Sequence, residues 1–252
     1  MSGVEGFGFE FLLEVELDCS VCGRGYGEFE GPGFIWFGVC FFFDWGGCSR
    51  MGDTALLYVC DLENLESLSL RGLKLVSSSL KRVKKMDSLT HLDLTRCIRI
   101  SDEGLFFLRG LTNLTSLSLA GCDMISGRGL QKISHLKSIT ELDLSFIKLK
   151  LGAESIMQFP NLQKLVLYRA YLNDENCKYF RALENLTYLD LSDTSIGGPS
   201  TESLSRIPNL EYLDIRNTLI PEIRVETLLH IPNLIFSENH FANTHNIFDY
   251  TP

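Results

Sequence analysis

Apolar and polar positions alternate along this chain in short bursts, and the bursts recur. LESLSLRGL begins at Leu65, LTHLDLTRC at Leu89, LTSLSLAGC at Leu114 and ITELDLSFI at Ile139. LQKLVLYRA begins at Leu162, LTYLDLSDT at Leu186 and LEYLDIRNT at Leu210. Successive starts lie 24, 25, 25, 23, 24 and 24 residues apart. Each copy reads L-x-x-L-x-L-x-x, then Cys, Thr or an apolar residue. The x-L-x-L alternation is that of a short strand with one buried face. With the first leucine of each copy as position 1, positions 3, 5, 7 and 8 are expected to face solvent.

A second period fills the gaps. Leu105, Leu108 and Leu111 are three apart, as are Leu130, Ile133 and Leu136, then Cys177, Phe180 and Leu183. Leu204 and Ile207 continue the series, as do Val225, Leu228 and Ile231. This spacing predicts one apolar stripe on a short helix between strands. Ser101-Asp102-Glu103 reads as an N-cap with first-turn acids. Pro160, Pro208 and Pro232 stand two residues before the strand starts at Leu162, Leu210 and Leu234, where proline ends a helix and favours extended chain.

One strand–helix unit cannot bury its own apolar faces, so such units stack. Strands sit about 4.8 Å apart and helices about 10 Å apart, so the stack must curve. The expected fold is an α/β solenoid, with a parallel sheet on the concave side and short helices on the convex side. FFFDWGGCSRMGDTALLYV, from Phe41, fits as a degenerate copy. Cys40, Phe43 and Trp45 take the slots of Leu89, Leu92 and Leu94, while Leu56, Val59 and Leu62 take those of Leu105, Leu108 and Leu111. The repeats are expected over 40–238. Residues 1–39 are read as an N-terminal cap or a poorly ordered segment, with a further weak copy at Leu12, Val15 and Leu17 as a third reading. LIFSENHF at Leu234 starts like a copy and loses the pattern, and 239–252 is read as a tail.

Charge narrows the partners. The chain of 252 residues carries a formal charge of −9, and residues 1–50 hold eight acids and two bases. That balance argues against nucleic acid, which needs a basic surface to displace phosphate counterions. The longest uncharged apolar stretch, Gly33–Phe43, is 11 residues, against about 20 for a membrane-spanning helix. MSGVEGFGFE lacks the basic start of a signal peptide. The expectation is a soluble protein in the cytoplasm or nucleus. Eight cysteines spread along the chain suit reduced thiols better than a disulfide framework. The sequons at Asn113 and Asn185 fall at one repeat position, so repetition accounts for them without glycosylation.

Little else suggests chemistry. Cys48, Cys97 and Cys122 share position 9 with Thr194 and Thr218, where a small side chain with a weak donor fits against loop carbonyls. Cys19 and Cys22 form a lone C-x-x-C whose only nearby second pair, Cys40 and Cys48, is better explained by the repeat than by zinc. The five histidines form no H-x-x-x-H pattern, and no nucleophile has an identifiable base. No enzyme activity, cofactor or metal is expected. The concave face remains. Lys164, Tyr168, Arg169, Tyr188, Asp190, Asp193, Tyr212, Asp214 and Arg216 lie side by side on the copies starting at Leu162, Leu186 and Leu210. Tyr and Arg dominate protein interfaces. Asp190 and Asp214 are expected to be lateral neighbours that repel unless a cation approaches, with Arg169 or Arg216 as internal candidates.

LTHLDLTRCIRISDEGLFFLRGL and LTSLSLAGCDMISGRGLQKISHL resemble the cysteine-containing subfamily of leucine-rich repeats. They are similar to the repeats of F-box/leucine-rich-repeat proteins, the substrate receptors of cullin-based ubiquitin ligases. The resemblance covers about Cys40 to Leu234. It implies a leucine-rich repeat horseshoe whose partner is another protein, the repeats holding a substrate and a separate F-box module holding the ligase. The first 50 residues lack the helical leucine spacing of an F-box, and later copies replace Cys by Ile, Ala or Thr. The alternative is a recognition module of the receptor or immune type. Oligomeric state is left open.

Overall fold

The computed structural model describes residues 42–44, 56, 62 and 64–236. Among the described residues, nine three-residue strands form one parallel sheet in chain order. They are β1 (Phe42–Asp44), β2 (Ser67–Ser69), β3 (His91–Asp93), β4 (Ser116–Ser118) and β5 (Glu141–Asp143). Then come β6 (Lys164–Val166), β7 (Tyr188–Asp190), β8 (Tyr212–Asp214) and β9 (Asn233–Ile235). Each strand covers positions 3 to 5. The register aligns position 4 throughout, from Leu68 beside Leu92 to Leu189 beside Leu213. This is the leucine-rich repeat solenoid that the periodicity predicts.

The core is a lattice of leucines. Leu65, Leu68 and Leu70 of the β2 repeat are fully buried, and their counterparts in every repeat to Leu213 are buried likewise. The convex side is made of single helical turns. Asp102–Leu105, Gly127–Leu130, Asp174–Cys177, Ser200–Leu204 and Glu222–Val225 are α-helical. Ser77–Lys81, Val83–Lys85 and Ala153–Gln158 are 3₁₀. Turns this short do not form in isolation; burial of their apolar stripe holds them. Gly127 is packed so closely on Gly152 that a Cβ there would collide with the Gly152 carbonyl.

The degenerate first copy takes the expected register, with Phe43 beside Leu68 and Asp44 beside Ser69. Leu56 is buried in the core. The readings for Cys40, Trp45, Cys48 and Val59, for residues 1–39, including Cys19 and Cys22, and for 239–252 lie outside the described residues.

Two expectations need correction. Leu234 is not a position 1 residue: it pairs with Leu213, at position 4. Position 1 is Ile231, which is buried, so the last full repeat has 21 residues and Pro232 follows its new start. Ile231-Pro-Asn-Leu234-Ile-Phe236 satisfies the repeat pattern with phenylalanine in the sixth slot, and Phe236 packs on the core. Ser101 stands at an N-cap position but its side chain caps nothing there. Its hydroxyl lies 2.9 Å from that of Ser77, one repeat back. Asp102 serves the next repeat, accepting from the Ser126 N–H and hydroxyl at 2.7 Å each. Polar groups at this edge tie repeats together, and Ser126 also caps its own helix by accepting from the Arg128 N–H at 3.2 Å.

Candidate binding face

The strand period sets out columns on the concave sheet, and β6, β7 and β8 bring the predicted residues together. Position 3 places Lys164 beside Tyr188 and Tyr188 beside Tyr212. The two tyrosine rings stack, with centroids 4.1 Å apart and planes 4° from parallel. The Lys164 ammonium lies 5.4 Å from the Tyr188 ring centroid. Burial beneath these neighbours raises the Tyr188 phenol well above its usual range, helped by the Tyr212 hydroxyl and by the Asp190 and Asp214 charges. A second cluster sits at positions 7 and 8. Tyr168 meets Phe146 edge to face at 5.3 Å, and the Arg169 guanidinium lies 5.3 Å from the Tyr168 ring centroid. Phe146 was not among the predicted site residues. Its signal is its place at position 8, one repeat before Arg169.

The aspartates do something other than wait for a ligand. At position 5, Asp93, Asp143, Asp190 and Asp214 each accept the backbone N–H two residues on, from Thr95, Ser145, Ser192 and Arg216, at 2.8 to 3.0 Å. Each is a local turn cap. Ser145 and Ser192 add their hydroxyls to the same carboxylates. Asp190 and Asp214 are neighbours, as expected, but Asp214 is only 1% exposed. The cation that relieves their repulsion is the chain's own: Arg216 Nε lies 3.0 Å from both Asp214 oxygens. Arg169 pairs with Asp193 at 3.9 Å. Position 7 also departs from expectation, because Ala120, Ser145 and Ser192 are buried there. The side chains are small enough for the turn to close over them.

The turn explains position 8. Gly72, Arg96, Gly121, Phe146, Arg169, Asp193 and Asn217 all have φ between 53° and 73°. L-residues seldom adopt this left-handed conformation. From Gly72 to Asp193 the backbone is held by a ladder: the position 8 N–H donates to the position 7 carbonyl of the next repeat, as from Phe146 to Tyr168 at 2.9 Å and from Asp193 to Arg216 at 2.8 Å. Beside the aromatic patch, small residues on β4 open a hollow of about 190 Å³, lined by Ser116, Ser118, Glu141, Asp143, Lys164 and Val166.

The other motifs are structural. Cys97 and Cys122 donate to the Leu70 and Leu94 carbonyls at 3.1 Å, and burial pushes both thiols up to about 12. Cys177 is buried in the stripe and its thiol is also raised by burial. Asn113 and Asn185 donate their side-chain amides to the Asp87 and Pro160 carbonyls at 2.8 and 2.9 Å. Asn161 and Asn209 do the same one repeat back. Among the described residues no cluster of His, Cys, Asp and Glu is placed to hold a metal, and no helix is long and apolar enough to cross a membrane.

Fold and repeat define a leucine-rich repeat solenoid, and comparison with known proteins agrees with that fold. Two leucine-rich repeat family models match, one over residues 160–220 and the other over 86–108 and 110–134. No curated protein matches the chain. Among solved structures it is similar to internalin C2 of Listeria monocytogenes, with TM-score 0.60 and 19% identity over 78% of this chain and 80% of that one. An internalin, inlF, of the same organism gives TM-score 0.47 and 16% identity, over 72% and 64%. TLR13, from a TLR13–ssRNA13 complex, gives TM-score 0.50 and 25% identity over 66% of this chain. The match spans 24% of the TLR13 chain.

Proposed function

We propose that this chain is a non-enzymatic scaffold that holds another protein on the concave face of β6–β8. The reading rests on the stacked Tyr188–Tyr212 pair, flanked by Lys164, on an open sheet. Stacked rings arrive at a partner already ordered, so little side-chain entropy is lost on docking. Phe146 and Tyr168 extend the aromatic area, and Arg169 and Arg216 frame it. Among the described residues, Asp193 and Asp214 are paired within the chain by Arg169 and Arg216, which leaves Lys164 as a cation free to meet a partner's acceptor. Replacing both tyrosines, as Tyr188→Ala/Tyr212→Ala, should remove about 2 kcal/mol or more, roughly thirtyfold in affinity. Affinity capture with mass spectrometry on wild type and double variant tests this. Equal recovery of every partner would overturn it.

Within this reading, the chain is the substrate-holding part of a cullin-type ubiquitin ligase receptor, working in the cytoplasm or nucleus without nucleic acid or membrane. The resemblance of its cysteine-bearing repeats to those of F-box/leucine-rich-repeat proteins supports this, and co-purification of cullin adaptors tests it. The alternative is a recognition module of the receptor or immune type, favoured by the similarity to TLR13. Glycans on Asn113 or Asn185 would decide for it. Against it stand the hydrogen bonds that already occupy both side-chain amides.

A further inference from the structure

A second surface, on the convex side, has a different character. Residues 64–137 carry twelve Lys and Arg against six Asp and Glu, in a chain whose total is −9. The bases concentrate at Lys81-Arg82-Val83-Lys84-Lys85, on the paired 3₁₀ turns of the β2 repeat. All four cations are exposed, whereas Leu80, Val83 and Met86 between them are buried in the core. Three cations on other convex turns are neutralised by a carboxylate: Lys132 by Glu103, Lys178 by Glu175, and Arg206 by Glu202. None of the four makes an ion pair among the described residues. The next repeat joins the same surface. A Cβ on Gly110 would sit 3.0 Å from the Lys84 carbonyl, so the two turns touch. Beyond Gly110, Arg109 lies against Phe106, which is 47% exposed.

We infer that this convex surface docks an acidic segment of a partner protein, separately from the concave face. Like charges that have no ion pair among the described residues and stand side by side on one turn repel one another, and an approaching set of carboxylates relieves that repulsion. Nucleic acid fits less well. The Phe106 and Phe107 rings already carry Arg109 and Lys81, and they meet each other edge to face at 5.9 Å, so no ring is laid flat for a base. A polyanion longer than the patch would also run onto the acidic remainder of the molecule. Nor does the basic run act as an extended targeting signal, since Val83 would have to leave the core.

The test is fluorescence anisotropy on the full chain, titrated against a labelled oligo-glutamate peptide and an oligo-dT of equal length. The expected result is that the peptide binds more tightly than the oligo-dT and that binding weakens as salt rises. Lys84→Glu/Lys85→Glu should lower peptide affinity about tenfold or more. Lys178→Glu/Arg206→Glu, with the same change in net charge on other turns, should leave it unchanged. Circular dichroism and urea unfolding confirm that each variant is folded. No peptide binding by wild type, tighter binding of oligo-dT, or equal losses in the two variants would each overturn the inference. The concave reading is untouched by any of these results, because the Tyr188→Ala/Tyr212→Ala comparison is independent.

Discussion

Aspartate at position 5 looks, in sequence, like a charge offered to a partner. In space its first duty is to the backbone, because it accepts the N–H of position 7 as the chain leaves the strand. Asp143→Ala should cost about 1 kcal/mol, as loss of a cap does, and Asp143→Asn should restore most of it; urea unfolding midpoints check both. Asp214→Ala should cost more, about 1–3 kcal/mol, because the buried carboxylate accepts the Arg216 backbone N–H and charge-assisted bonds from its guanidinium. The thiols add a pH dependence. Cys97 and Cys122 are held at about 12 by burial, whereas in the unfolded chain a thiol ionises at about 8.5. Their contribution is therefore complete below about pH 8.5 and is lost as pH rises towards about 12, where the unfolded state releases protons that the native state keeps. Urea midpoints should fall between pH 8 and pH 10.5 and fall less in Cys97→Ser/Cys122→Ser, with the pH 8 value of each protein as its own reference. The columns of residues at this scale could be read from the repeat, but their roles could not. Asp214 was assigned to solvent because alternation fixes only which way a side chain starts, and Arg216, two residues on, folds back over it.

Single helical turns and three-residue strands have no stability of their own, so each element exists through its neighbours. Spacing alone located all of the strands that begin a clear copy, because buried leucines carry the period and solvent has no vote in it. The last strand was misplaced for a physical reason: Leu234 satisfies the pattern both as a first and as a fourth residue, and only pairing with Leu213 distinguishes them. The left-handed turn at position 8 was hidden too. Gly72, Gly121 and Asn217 announce it, but Arg96, Phe146 and Arg169 in the same column disguise it. Two glycines give a sharp contrast in tolerance. Gly127→Ala should destabilise by about 2–4 kcal/mol, since the added methyl has rigid backbone against it rather than a movable side chain. Gly72→Ala meets nothing within 4 Å and should cost only the left-handed penalty of about 1–2 kcal/mol. Thermal unfolding of the pair measures the difference.

For the whole molecule, stability is a sum over contacts between adjacent repeats. A truncation in the middle of the stack loosens two interfaces and one at the end loosens one. Leu142→Ala, at position 4 of β5 and fully packed, should cost about 3–5 kcal/mol. Leu234→Ala, half-buried on the last strand, should cost about 1 kcal/mol. Hydrogen exchange should show the same gradient, with amides near β9 opening first. The left-handed column has a further consequence. From Gly72 to Asp193 its geometry is fixed by main-chain bonds to the following repeat, so glycine, arginine, phenylalanine and aspartate all occupy it without altering the path of the chain. A change of residue there costs little beyond the left-handed penalty and leaves the course of the backbone as it is. A designer could rewrite that row letter by letter, and natural drift has the same licence, turning one scaffold towards new quarry while its frame stands still.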